Sequence, residues 1–151
     1  MLDLETLTAI EDIRNLEARY ARYADHRRWT DLAALFTADG WFRPMDAEGN
    51  EVIMMNGRAA IAELLSARNS GDVQPIHQLF THEIEIESPT SAKAVWAMAD
   101  LIHRGEGTEA EPAPFRTMRG WGHYHVTYRK IDGHWLIATR TLTRTRLEFT
   151  H

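Results

Sequence analysis

The sequence predicts an α+β fold: a cone-shaped half-barrel in which a curved, mostly antiparallel sheet and N-terminal helices enclose a pocket. Three observations predict it. Apolar residues recur at steps of three and four through the first third, at Ile10, Ile13, Leu16, Tyr20 and Ala24, the spacing of a helix with one buried face. From Pro75 onward the period switches to two, the spacing of strands. These strand candidates are long and arrive after the helices, in the order expected of segregated helices and sheet. Long strands that bend around helices at one end leave a half-open cone with a hollow between the two layers.

The elements follow in order. Asp3 or Thr6 can cap the first helix, Asp12 and Arg14 begin its charged face, and it ends near Asp25-His26. A shorter helix follows, with Thr30 as its cap and Leu32, Leu35 and Phe36 as its apolar side. Asp39-Gly40 is a breaker pair. Residues 41–45 form a strand, 46–50 a turn, and 51–55 the returning hairpin partner. Asn56 caps a third helix over 57–68, with Ile61, Leu64 and Leu65 inward. Residues 69–72, Asn-Ser-Gly-Asp, carry loop chemistry.

Residues 76–87 form a strand whose parity changes along its length. His77 and Leu79 share one face, while Ile84 and Ile86 lie on the other, so a bulge is expected near Thr81-His82. A turn at 88–91 leads into a strand over 92–104, with Val95, Ala97, Ala99, Leu101 and His103 on its apolar face. A loop over 105–114, a strand over 115–129, a hairpin turn at Ile131-Asp132-Gly133 and a strand over 134–149 complete the chain.

Composition narrows the function. At 151 residues the chain fits one domain over 1–151. It has no cysteine, which excludes disulfides, thiolate metal sites and cysteine nucleophiles. The net charge is −5 and the pI about 5.9, so no nucleic-acid partner is expected. No apolar run approaches the roughly 18 residues of a membrane helix, and the N-terminus lacks a signal-peptide pattern. The expectation is a cytoplasmic protein. No P-loop, G-x-G-x-x-G, G-x-S-x-G or H-E-x-x-H motif occurs, and no cofactor is expected.

Several residues can carry chemistry. Asp25 stands at a helix C-terminus, the unfavourable end of the dipole for an acid, with Tyr20 and Tyr23 on the turn before it. A surface aspartate is the plain alternative. His77 and His103 lie in apolar strands, where a core histidine bonded to backbone is the plain reading. If Asp25, His77 and His103 converge, the aspartate fixes the histidine's tautomer and makes it a general base. Such a pair removes a proton beside a carbonyl, and the imidazolium then protonates a departing hydroxyl. Trp41, Phe36, Met54 and Trp96 are candidate pocket walls. His123-x-His125 has the spacing of two metal ligands on one strand face but no acidic ligand nearby, so no metal is expected. Arg140, Arg144 and Arg146 alternate with threonines and read as a solvated sheet face or subunit interface, with an anion site as the lesser alternative.

The stretch IRNLEARYARYADHRRW followed by DLAALFTADG, the Ile76-His77 strand and the tail YRKIDGHWLIATR together resemble the SnoaL-like, scytalone dehydratase-like proteins of the nuclear transport factor 2-like superfamily. The resemblance spans nearly the whole chain. It implies Asp25 and His77 as a catalytic dyad, His103 as a second pocket histidine, and Tyr20 as a phenol assisting the leaving group. The implied activity is a dehydratase-type lyase on a small apolar, cyclic or aromatic substrate. The same dyad also serves isomerases and polyketide-type cyclases, and the fold serves as the small subunit of aromatic-ring dioxygenases. The resemblance further implies a homo-oligomer, a trimer ahead of a dimer. The family's tyrosine before the aspartate is Ala24 here. Pro44, Gly122 and Tyr124 stand about where its substrate-orienting tyrosine, serine and asparagine fall. The chemistry carries over and the substrate does not.

Overall fold

The computed structural model describes residues 2–105 and 115–151. Helix α1 covers Leu4–Asp25. Asp3 is its cap, accepting the Thr6 backbone N–H at 2.8 Å. Its three-and-four stripe buries Ala9, Ile13, Leu16, Tyr20 and Ala24, together with Glu17.

The second helix, α2, is a single short turn over Trp29–Ala33, with Arg28 rather than Thr30 at its N-cap. Phe36 is not on this helix but opens strand β1, Phe36–Pro44. It pairs with Ile137, and the Ile137 N–H donates to Leu35 O at 2.8 Å. The sheet captures this segment before the helix can continue. Asp39-Gly40 therefore marks a register shift within β1 instead of its start.

The hairpin partner is shorter than expected. Strand β2 is only Met55–Asn56, with an isolated bridge between Met45 and Glu51. Asn56 is taken up by pairing with Trp41, so Gly57 stands at the N-cap of α3, Arg58–Arg68. Its φ of 85° is a left-handed conformation that favours glycine.

Four long strands follow: β3 Val73–Ser88, β4 Ser91–Arg104, β5 Thr117–Ile131 and β6 His134–Thr150. The sheet order is β2-β1-β6-β5-β4-β3. All neighbours are antiparallel except β1 and β6. The parity switch in β3 is a register shift between Leu79 and His82, at the place the sequence predicts. Asp132 and Gly133 both take positive φ, the twist a tight hairpin needs.

One parity is the reverse of the expectation. In β4 the core-facing residues are Ala92, Ala94, Trp96, Met98 and Asp100. Val95, Ala97, Ala99, Leu101 and His103 face the outer side. Both faces of this strand are apolar, so alternation by itself did not choose between them. The choice comes from pairing: His77 lies opposite Asp100, and residues opposite each other in a sheet share a face. Among the described residues no helix is long and apolar enough to cross a membrane.

Candidate active site

Asp25 is the last residue of α1, and His77 lies near the start of β3. The helix end sits against the strand, and one carboxylate oxygen serves both groups of the histidine. Asp25 Oδ1 accepts the His77 backbone N–H at 2.6 Å and stands 3.0 Å from His77 Nδ1. A carboxylate only accepts, so Nδ1 carries a proton, and in the neutral ring Nε2 holds the lone pair. Both side chains are partly buried, at 14% exposure for His77 and 30% for Asp25.

His77 lines a cavity of about 130 Å³ between sheet and helices. Its apolar wall includes Trp29, Phe42, Met55, Ile102, Met118 and Leu142, and its polar groups include Tyr20, Asp100, Tyr124 and Arg144. Asp25 thus meets His77, and His77 and Tyr20 line the same cavity.

Three other candidates lie outside this cavity. His103 is exposed on the outer side of β4, 3.4 Å from Thr117 Oγ1, a consequence of the reversed parity. Trp41 alternates with Phe42, and Phe42 is the one that faces the cavity; Arg43 lies over the Trp41 ring instead. Tyr23 lies one helical step off the buried stripe, its ring contacted by the Arg22 and Arg28 guanidinium groups at 5.0 and 4.6 Å. Of the suggested walls, Phe36 and Trp96 are core residues outside the cavity lining, and Met55 takes the place of Met54.

A profile of the SnoaL-like domain matches residues 5–141. The chain belongs to the SnoaL-like domain family. Solved structures agree on the architecture of this SnoaL-like domain. A candidate scytalone dehydratase from Novosphingobium aromaticivorans is 22% identical with a TM-score of 0.78, over 97% of this chain and 91% of that one. A hexachlorocyclohexane dehydrochlorinase (LinA) type 2 is 17% identical with a TM-score of 0.77, over 99% and 94%. The beta subunit of a candidate aromatic-ring-hydroxylating dioxygenase from Novosphingobium aromaticivorans is 17% identical with a TM-score of 0.75, over 94% and 92%. At these identities the likeness is one of fold.

The interior of this SnoaL-like domain holds two ion pairs that sequence reasoning missed. Arg140 and Arg144 point inward on β6 with Leu142 between them, correcting the reading of a solvated arginine face. Only Arg146 keeps a surface partner, Glu148 at 2.8 Å. Arg144 makes a bidentate pair with Asp100, at 2.7 and 3.0 Å. Arg140 makes another with Glu17, at 2.9 Å for both bonds, and both side chains are fully buried. A signal was present: Glu17 interrupts the apolar stripe of α1 and Asp100 interrupts the apolar strand β4, and buried acids require partners.

The Arg140 guanidinium lies 3.6 Å from the centroid of Tyr20 and 3.8 Å from that of Tyr124, a cation held between two rings. Burial pushes the Tyr20 and Tyr124 phenols above their usual range, so both stay protonated donors at neutral pH. Burial also works against the Arg140 charge, but Glu17 and then the two tyrosines outweigh it and hold its affinity for the proton above normal. Tyr128 donates to Glu17 at 2.6 Å and accepts from Trp96 Nε1 at 3.0 Å.

Gly120 makes room for the Asp100–Arg144 pair. A Cβ there would collide with Arg144 Nη1 and the Asp100 carboxylate. Gly120→Ala is expected to destabilise by about 1–3 kcal/mol through this overpacking, read by urea denaturation. A loss under about 0.5 kcal/mol, the range of an indifferent surface change, would show that the pair has slack.

His123 and His125 share the outer sheet face, where His125 bonds to Thr143 at 3.0 Å. Partial burial and then the neighbouring His123 lower the His125 proton affinity. Among the described residues no group of three or more His, Asp or Glu is placed to hold a metal ion.

Proposed function

We propose that this SnoaL-like domain is a cofactor-independent lyase of the dehydratase type, acting on a small cyclic or aromatic substrate through the Asp25–His77 pair. The supporting observation is the single carboxylate oxygen that locks the His77 tautomer while the imidazole lines the cavity. The volume, about 130 Å³, suits one six-membered ring, since an apolar cavity of ~150 Å³ takes up benzene.

In this reading His77 Nε2 takes the proton from the carbon beside a substrate carbonyl. The C–H pair becomes the new C=C bond, and the C–O bond at the next carbon breaks. The imidazolium returns its proton to the departing hydroxyl, which leaves as water. The charge on Asp25 favours the imidazolium between these steps. Tyr20 donates a hydrogen bond to the leaving oxygen. Arg144 has guanidinium donors beyond those given to Asp100 and supports the carbonyl as charge builds on it.

An isomerase or cyclase would use the same base without losing water. The test is to incubate single-ring β-hydroxy carbonyl compounds with the protein and follow products by NMR. The expected result is an alkene and loss of the α-proton, absent with His77→Ala. Proton exchange or rearrangement without dehydration would assign the pair to isomerisation. If wild-type protein and His77→Ala behave alike, the dyad assignment is wrong. We further propose that residues 1–151 act as one domain in a cytoplasmic homo-oligomer, a trimer ahead of a dimer. Light scattering of the purified protein reads the oligomer, and a monomer would refute it.

A further inference from the structure

We propose that Arg68 and Arg104 form an anion-binding rim at the cavity mouth, so that the substrate is a ring-sized apolar body carrying a carboxylate on a short arm. The proposal rests on reading the cavity as a substrate pocket. It does not depend on the dyad being catalytic.

Two elements converge on this rim. On β4, Asp100 and Ile102 line the cavity. Strand periodicity places Arg104 next on the same face, one step further out. Arg68, the last residue of α3, contributes directly to the cavity lining from the helical side. The rim therefore carries two guanidinium groups, while His77 and the ring-sized hollow lie behind them.

Of the two arginines that line the cavity, Arg144 is neutralised by Asp100 while Arg68 is not; arginines elsewhere, Arg27, Arg58 and Arg119 among them, also have no ion pair among the described residues. The two inward arginines of β6 each hold a carboxylate bidentately. Arg28, Arg129 and Arg146 have surface acids. Neither Arg68 nor Arg104 has an ion pair among the described residues. Arg104 Nε is buried with no hydrogen-bond partner, and its guanidinium rests over the Phe115 ring at 4.7 Å. A buried donor without an acceptor costs free energy that a ligand oxygen recovers.

The local electrostatics agree. Burial is the larger cause that lowers the proton affinity of Arg68, and the Arg104 charge adds to it. Asp72 borders the same region, its carbonyl accepting the Gly105 N–H, but it is not among the influences on Arg68. Asp25 is engaged by His77. An anion between the two arginines satisfies both, and a carboxylate matches the planar fork of a guanidinium.

The test uses a matched pair of probes, 3-phenylpropionate and the neutral 3-phenylpropan-1-ol. Each is titrated into the full chain at low salt and followed by calorimetry. The wild-type protein should bind the carboxylate about tenfold more tightly, the scale of one charge-assisted bond. R68Q and R104Q should each erode that preference, and the double variant should abolish it while leaving the alcohol's Kd unchanged. Removing one of two like charges should leave Tm unchanged or raised, which separates lost binding from lost folding. Equal binding of the two probes, no binding of either, or a preference that survives the double substitution would overturn the rim. H77A should keep the preference, so a failed dyad and a failed rim give different results.

Discussion

Glu17→Gln is expected to destabilise the protein by about 3–5 kcal/mol, the usual cost of stranding one member of a buried ion pair. Both partners have no exposed side-chain surface, so water cannot replace the lost charge. Arg140 cannot release its proton to escape. It would remain between the Tyr20 and Tyr124 rings, with Nε already lacking a hydrogen-bond partner. For a chain of this size each kcal/mol is worth roughly 2–4 °C in Tm, so thermal melting and urea denaturation should both register the change. The double replacement Glu17→Leu with Arg140→Met should recover much of the loss, because the penalty belongs to the stranded charge rather than to the missing contact.

Arg140→Met strands the opposite charge in the same fully buried place, and it too should destabilise the protein by about 3–5 kcal/mol. A loss below about 1 kcal/mol for Glu17→Gln would mean that water reaches the pair.

Asp25→Asn is expected to lower turnover by about 10²–10⁴-fold, and His77→Ala at least as much. The side chain keeps its size in Asp25→Asn, and its amide oxygen can still accept the His77 backbone N–H now bonded at 2.6 Å. The charge that favours the imidazolium is gone, while the oxygen that faces both the backbone N–H and Nδ1 keeps its place. KM should change little, since Asp25 is not part of the cavity lining. Circular dichroism should show both variants folded. Turnover within threefold of wild type for either variant would remove the dyad from the mechanism.

Much of the scaffold was legible in the sequence because it follows from periodicity. The stripe on α1, the switch to period two after Pro75, the bulge near His82 and the Asp132-Gly133 turn each arise from residues close together in the chain. Asp25 and His77 were also legible, as an acid at the wrong end of a helix and a histidine in an apolar strand. Family resemblance joined them. The sequence by itself determined the order of the first helix and the long strands, and it offered Asp25 and His77 as candidates to hold or move a proton.

Only the tertiary structure decided which face of an ambiguous strand is the inside. β4 is apolar on both faces, and the choice came from its register with β3, which puts Asp100 beside His77 and turns His103 outward. The same long-range pairing brought Glu17 to Arg140 across 123 positions and Asp100 to Arg144 across 44. Local spacing carries no record of such partners. A charged residue in a strand reads as solvated until another element delivers its counter-charge, and the free energy of burying it depends on whether that partner arrives.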